Sequence, residues 1–176
     1  MTIDFPNKHF LINGEWVCSD AEIDLINPST GDVIAQVSAA SNEHINDAVS
    51  VARDTLENTW KNITARERSN ILNTLGRLIE ENIDILASLE ATDVGKPLKQ
   101  AKADVKALAR YMEFYAGAAD KLHGDTIPYL QDYTVYTLRE PHGVCAHIIP
   151  WNYPMQIIGR SVGAALATGN TCILKP

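Results

Sequence analysis

Cysteine is scarce in this chain, and what there is does not cluster. Cys18, Cys145 and Cys172 are the only three in 176 residues. They form no CxxC pair and no His/Cys group with zinc spacing, which excludes a disulfide framework and a structural zinc module. Reduced thiols in a cytoplasmic protein are expected instead. No apolar run reaches the roughly 20 residues of a membrane helix, and the opening MTIDFPNKHF lacks the apolar stretch of a signal peptide. Runs of basic residues are missing as well. With a net charge of −7 and a pI of about 5.1, the chain has no electrostatic footprint for nucleic acid or an acidic membrane, so neither is expected as a partner. The phosphate-cradling patterns GxGxxG and GxxxxGK[ST] do not occur. GRSVG, residues 159 to 163, resembles a nucleophile elbow only superficially, because a helical run surrounds its serine.

What is present changes period along the chain. HFLINGEWVCS reads as a hairpin turning on Asn13-Gly14, the dipeptide best suited to a type I′ turn. IDLINPSTGDVIAQVSAA repeats the pattern around Asn27 to Gly31. From Ser41, a plausible N-cap, apolar residues fall at helical spacing: Ile45, Ala48, Val49, Ala52 and Leu56. Thr64 with Glu67 marks a capping box at the next helix, which carries Ile71, Leu72, Leu75, Leu78 and Ile79. A third helix runs from about Asn82 to Gly95, with Pro97 beyond it, and a fourth covers LKQAKADVKALARYMEFYAGAAD. The turns NPSTG and GKP are explained by backbone geometry, and Arg66 and Arg68 read as a solvated helix face. Next, YTVYTLRE and GVCAHIIP read as a hairpin joined by Pro141-His142-Gly143. MQIIGRSVGAALATG is a helix whose small residues would let it lie close to a sheet, and TCILKP is a last strand. Strand, helix and strand of this length make a parallel βαβ unit. The last strand has no covering element after it, so the chain reads as the front of a longer α/β protein.

The residue best placed for chemistry is Asn152. In open α/β sheets, ligands bind outside the carboxyl ends of the strands, and GVCAHIIP ends at Pro150. An amide held there between two prolines can stabilise a developing oxyanion without acting as a base. The other use of such a residue is to satisfy turn hydrogen bonds. Lys175 ends the following strand, where a cation suits a ribose hydroxyl or a phosphate; a solvated surface lysine is the alternative. His142 and His147 lack a carboxylate at triad spacing and read as structural.

The stretch REPHGVCAHIIPWNYPMQIIGRSVGAALATGNTCILKP, residues 139 to 176, resembles the aldehyde dehydrogenase superfamily. FLINGEWV, INPSTGDVIAQV, LEATDVGKPL and YMEFYAGAADKLHGDTIP resemble the same family's N-terminal half, in the same order. The resemblance implies NAD-dependent oxidation of an aldehyde to an acid through a cysteine thiohemiacetal, with NADP as the alternative cofactor. It implies a Rossmann-like cofactor domain with N-terminal β-hairpins, a helical middle and a β-ribbon arm. Residues 1–121 would be the first part of that domain, 122–146 the oligomerisation arm, and 147–176 a truncated βαβ part. By the same resemblance Asn152 holds the oxyanion, while Ile148, Ile149, Pro150 and Trp151 line the cofactor cleft and Lys175 contacts the adenosine ribose. Ile26 and Asp93 match positions that hold a monovalent cation in some members. A homo-oligomer, dimer or tetramer, would form through the arm. The family's nucleophilic Cys and its base Glu have no counterpart here, and Ser161 stands where many members carry Lys. The 176-residue chain is therefore expected to be inactive alone. A short non-catalytic relative acting through its arm is the alternative, and an isolated nucleotide-binding module is disfavoured because only part of the cleft is present.

Overall fold

The computed structural model describes residues 9–176. The reading of a missing signal peptide concerns mainly residues 1–8, which lie outside the described residues.

Two hairpins come first. β1 (Phe10–Ile12) pairs antiparallel with β2 (Glu15–Val17). Asn13 and Gly14 carry φ of 54° and 78°, the two positive values a type I′ turn requires. β3 (Glu22–Ile26) pairs antiparallel with β4 (Val33–Ser38). Four helices follow. α1 (Asn42–Asn58) is capped by Ser41, with the His44 imidazole closing the capping box in the place of the usual Glu or Gln. At the start of α2 (Ala65–Glu81), Thr64 accepts from the Glu67 amide and Glu67 Oε2 accepts from the Thr64 amide at 2.8 Å. α3 (Ile83–Val94) stops at Gly95, whose φ is 76°. Its amide still bonds the Ala91 carbonyl, the left-handed ending that glycine takes at least cost. α4 (Leu98–Ala118) is the longest helix.

The core lies between these helices. Leu72, Ile79, Ala87, Val105, Leu108 and Met112 are buried together. Full burial of side chains the size of Leu72 or Met112 is worth roughly 1.5–3 kcal/mol each. Gly76 sets the approach of α2 to α4, since a Cβ there would sit 3.2 Å from the Ala109 carbonyl oxygen.

β5 (Thr126–Ile127) and β6 (Val135–Tyr136) form a short antiparallel ribbon. Then β7 (Val144–Ile148), α5 (Pro154–Ala167) and β8 (Thr171–Lys175) make the βαβ unit, with β7 and β8 parallel from Val144↔Thr171 to Ile148↔Lys175. α1 and α5 both pack on this pair, and Thr171 Oγ1 donates to the Ala52 carbonyl at 3.0 Å. Ala146 and Ile148 alternate onto the uncovered face and are exposed.

Three expectations are corrected. YTVYTLRE does not pair with GVCAHIIP: β6 folds back onto β5, and β7 takes β8 instead. Asn170 explains the second pairing, because its Oδ1 accepts the Gly143 amide at 2.9 Å and its Nδ2 donates to the Ala165 carbonyl. Val144 to Ala146 lie in β7. The small face of α5 meets α4, not the sheet: a Cβ on Gly159 would lie 2.9 Å from the Tyr111 ring, and one on Gly163 2.9 Å from the Tyr115 ring. Arg68 is not solvated. Its Nε donates to the Ala167 carbonyl at 3.0 Å and its Nη1 to the Ile63 carbonyl at 2.8 Å, tying α2 to the end of α5. Arg66 is exposed as expected.

Candidate functional site

The carboxyl ends of β7 and β8 lie side by side. The Ile149 amide donates to the Lys175 carbonyl at 2.9 Å, one rung past the last ladder pair. Pro150 carries no N–H and ends the pairing. Trp151, Asn152 and Tyr153 bridge to Pro154, which occupies the first turn of α5, where a missing donor costs nothing. Ile149 is buried beneath this loop, whereas Ile148 is 81% and Trp151 79% exposed. Ile148 and Lys175 are ladder partners, so the apolar surface and the cation predicted from sequence share one edge with Asn152.

Asn152 lines an open cleft of about 460 Å³. Gln100 of α4 forms one wall; Gln156, Ile157 and Arg160 of α5 form the other. The spacing 153, 156, 157, 160 puts these side chains on one helical face. Ser161, one position on, turns away and donates to the Ile157 carbonyl at 2.7 Å. That bond occupies the serine of GRSVG inside a helix and fits its rejection as a nucleophile.

Beneath the cleft lies a buried ionic cluster that the sequence reading missed. Lys96 Nζ is 2.8 Å from Glu90 Oε1 and 2.7 Å from Asp104 Oδ2. Its side chain is 10% exposed and both carboxylates are at 0%. Asp104 Oδ1 accepts from Gln100 at 2.8 Å and from Gln156 at 2.7 Å. Lys96 also sits 4.5 Å from the centre of the Tyr153 ring, a cation–π contact. The cluster thus joins α3, α4 and the first turn of α5 directly behind Asn152. Burial pushes the Asp104 carboxyl up, but hydrogen bonds from Lys96, Gln156 and Gln100 outweigh it and hold it below the usual range. At Glu90 burial dominates the pull of Lys96, and its carboxyl lies above the usual range. Burial would lower Lys96, yet its bonds to Asp104 and Glu90 raise it. GKP therefore does more than turn the chain. The available signal was Asp104 on the apolar stripe Ala101, Val105, Leu108, Met112, since an acid on a buried helical face needs a partner.

Two of the three cysteines lie in the βαβ unit. Cys145 and Cys172 face each other across β7 and β8. Burial, reinforced by Cys145, pushes the Cys172 thiol up to about 12, where almost no thiolate exists at neutral pH. The Nε2 of His147 is buried without a partner. At the carboxyl end of α3, next to Lys96, Gly95 packs on Pro28: a Cβ there would meet the proline Cγ at 2.6 Å. This contact brings the end of β3, with Ile26, toward the last turn of α3, with Asp93. Among the described residues no group of three or more His, Cys, Asp or Glu could hold a metal ion, and no helix is long and apolar enough to cross a membrane.

Comparison with known proteins agrees with this architecture. The aldehyde dehydrogenase family profile matches residues 16–176. The Arabidopsis thaliana mitochondrial aldehyde dehydrogenase family 2 member B4 is 43% identical over 178 residues, covering 99% of this chain and 33% of the relative. A Burkholderia cenocepacia crystal structure described as an aldehyde dehydrogenase superposes with TM-score 0.93 at 54% identity, covering 96% of this chain and 36% of that one. The NAD⁺ complex of a Bacillus cereus aldehyde dehydrogenase gives TM-score 0.94 at 42% identity over 97% of this chain and 35% of that one. The chain spans about a third of the length of the relatives it matches. Its α/β fold and its sequence agree on one assignment: this chain belongs to the aldehyde dehydrogenase family.

Proposed function

We propose that this chain supplies the oxyanion donor and part of the cofactor cleft of an enzyme that oxidises an aldehyde to a carboxylic acid with NAD or NADP. The observation that carries the reading is the exposed amide of Asn152 on the wall of a cleft, at the carboxyl end of a parallel strand pair. A nucleophilic cysteine outside these residues would attack the aldehyde carbon. Asn152 Nδ2 would donate to the carbonyl oxygen as it gains charge, stabilising the thiohemiacetal. Prolines at 150 and 154 restrict the backbone on either side of Asn152, and Tyr153 over Lys96 anchors the loop from below.

The cofactor accepts the hydride when bound. The residues at the strand ends fit such a group: Ile148 and Trp151 offer exposed apolar surface for a planar ring, and Lys175 offers a cation on the same edge. Ile149 and Pro150 shape the turn beneath. Residues 1–121 and 147–176 would form a Rossmann-like cofactor domain. The β5–β6 ribbon would be an oligomerisation arm, since Tyr129, Leu130, Tyr133 and Leu138 expose apolar surface along it. Ile26, through its carbonyl, and Asp93 would hold a monovalent cation at the carbonyl end of α3, where the helix dipole favours positive charge.

The test is Asn152→Ala in the full-length protein that carries these residues. Loss of one oxyanion donor lowers kcat by about 10²–10³. An unchanged kcat refutes the role.

A further inference from the structure

We propose that Asp104 is a positioning residue for the oxyanion donor: from beneath the cleft it holds the first turn of α5, and through that turn the Asn152 amide, where a carbonyl oxygen gains charge. This rests on the aldehyde-oxidising reading above. Asp104 has no exposed surface, so it touches neither substrate nor cofactor. Anything packed on this chain in a longer protein only buries it deeper. Its effect on the reaction therefore runs through its neighbours.

Those neighbours bracket Asn152. Helices α1 and α2 fix their own starts with the capping boxes of Ser41 and Thr64. α5 does not. Its N-cap, Tyr153, makes no side-chain capping bond among the described residues, and an uncapped helix end frays. The restraint comes from α3 and α4 instead. Asp104 Oδ1 accepts from Gln156 Nε2, in the first turn of α5, at 2.7 Å. Asp104 Oδ2 accepts from Lys96 Nζ at 2.7 Å, and that ammonium lies 4.5 Å from the centre of the Tyr153 ring. The residue after Asn152 thus rests on Lys96, the first turn beyond it is bonded to Asp104, and both ties end on one carboxylate. Bonds to a carboxylate are roughly twice as strong as neutral ones. For stability alone, apolar packing of the same volume would serve as well as a buried ionic cluster; what the cluster adds is fixed geometry. Geometry matters here because an oxyanion donor must lie within about 2.7–3.1 Å of the charged oxygen, and a misplacement of about 1 Å costs on the order of 10²-fold in rate.

The experiment is a double-mutant cycle on kcat in the full-length protein. Asp104→Leu removes both ties and leaves Lys96 paired one to one with Glu90. Gln156→Met cuts only the tie to α5 and leaves both ion pairs of Lys96 in place, so it carries the test if Asp104→Leu fails to fold. Each should lower kcat about tenfold or more. Asp104→Leu should do so with little change in KM, because the amide's bond strengthens only as the oxygen gains charge. In an Asn152→Ala background each should cost almost nothing further, since the group being positioned is gone. A merely structural role would lower kcat by the same factor in both backgrounds. That additive result overturns the inference, as does an unchanged kcat in either variant with Asn152 intact. If no aldehyde is oxidised, or Asn152→Ala retains full kcat, it is the underlying reading that fails.

Discussion

Replacing Lys96 with Met removes one cation and strands two carboxylates. Among the described residues Lys96 is the only cation within salt-bridge distance of Glu90 and Asp104, at 2.8 and 2.7 Å, and neither acid side chain has any solvent exposure. Breaking a buried pair by removing one partner costs about 3–5 kcal/mol. That is a large share of the 5–15 kcal/mol that holds a typical domain together. At about 2–4 °C per kcal/mol for a domain of this size, the melting temperature should fall by roughly 6–20 °C. The pH dependence identifies the cause. In the wild type Asp104 is held low, so its stabilisation is present above its unfolded pKa and fades as pH falls through the depressed folded value. Glu90 is held high, so stability is lost as pH rises from its unfolded value through the raised one. Lys96 is held high, so its contribution is present below its unfolded pKa and is lost as pH rises through the raised folded value. Without Lys96 both acids must ionise unaided at neutral pH, or take up protons. The penalty of Lys96→Met should therefore be largest near pH 7 and shrink toward pH 4. Thermal melts of both proteins across that range measure it. A cost below about 1 kcal/mol, or one independent of pH, refutes the assignment.

Other outcomes are equally specific. Gly95→Ala places a Cβ at positive φ and 2.6 Å from Pro28 Cγ; it should destabilise by about 2 kcal/mol or more in denaturant titration, and a neutral result would remove the packing role of this glycine. Iodoacetamide at pH 8 should label Cys18, which is exposed, and leave Cys172 untouched in the folded protein because its thiol is pushed up to about 12. Rapid labelling of Cys172, read by mass spectrometry, would contradict its burial. The 176-residue chain by itself should yield no reduced cofactor when mixed with aldehyde and NAD⁺; sustained turnover would place the nucleophile within these residues.

Much of the local structure is written in short-range chemistry. Asn13-Gly14, the Thr64/Glu67 box and Gly95 are legible because each acts on neighbours within four residues. The strand-loop-helix around Asn152 is legible for the same reason: two prolines and a change of period bracket it. Strand pairing was not. Whether YTVYTLRE joins GVCAHIIP or folds back on Thr126–Ile127 depends on Asn170, 27 residues beyond Gly143, gripping the Gly143 amide. The partner of the small α5 face was equally hidden, since Gly159 and Gly163 would suit a sheet or a helix alike.

The sequence by itself determined the order and type of most elements, though not β5 at Thr126–Ile127, together with the family resemblance and the placement of Asn152 and Lys175 at strand ends, because periodicity and turn residues act locally. Only the tertiary structure decided that Lys96, Glu90 and Asp104 meet, that Gln156 reaches Asp104 across 52 positions, and that Arg160 shares a cleft with Asn152. Those partners come from different helices, and a charge's meaning depends on its surroundings after folding. Asp104 is a helix-face acid in the sequence; in the fold it is the acceptor that gathers Lys96, Gln100 and Gln156.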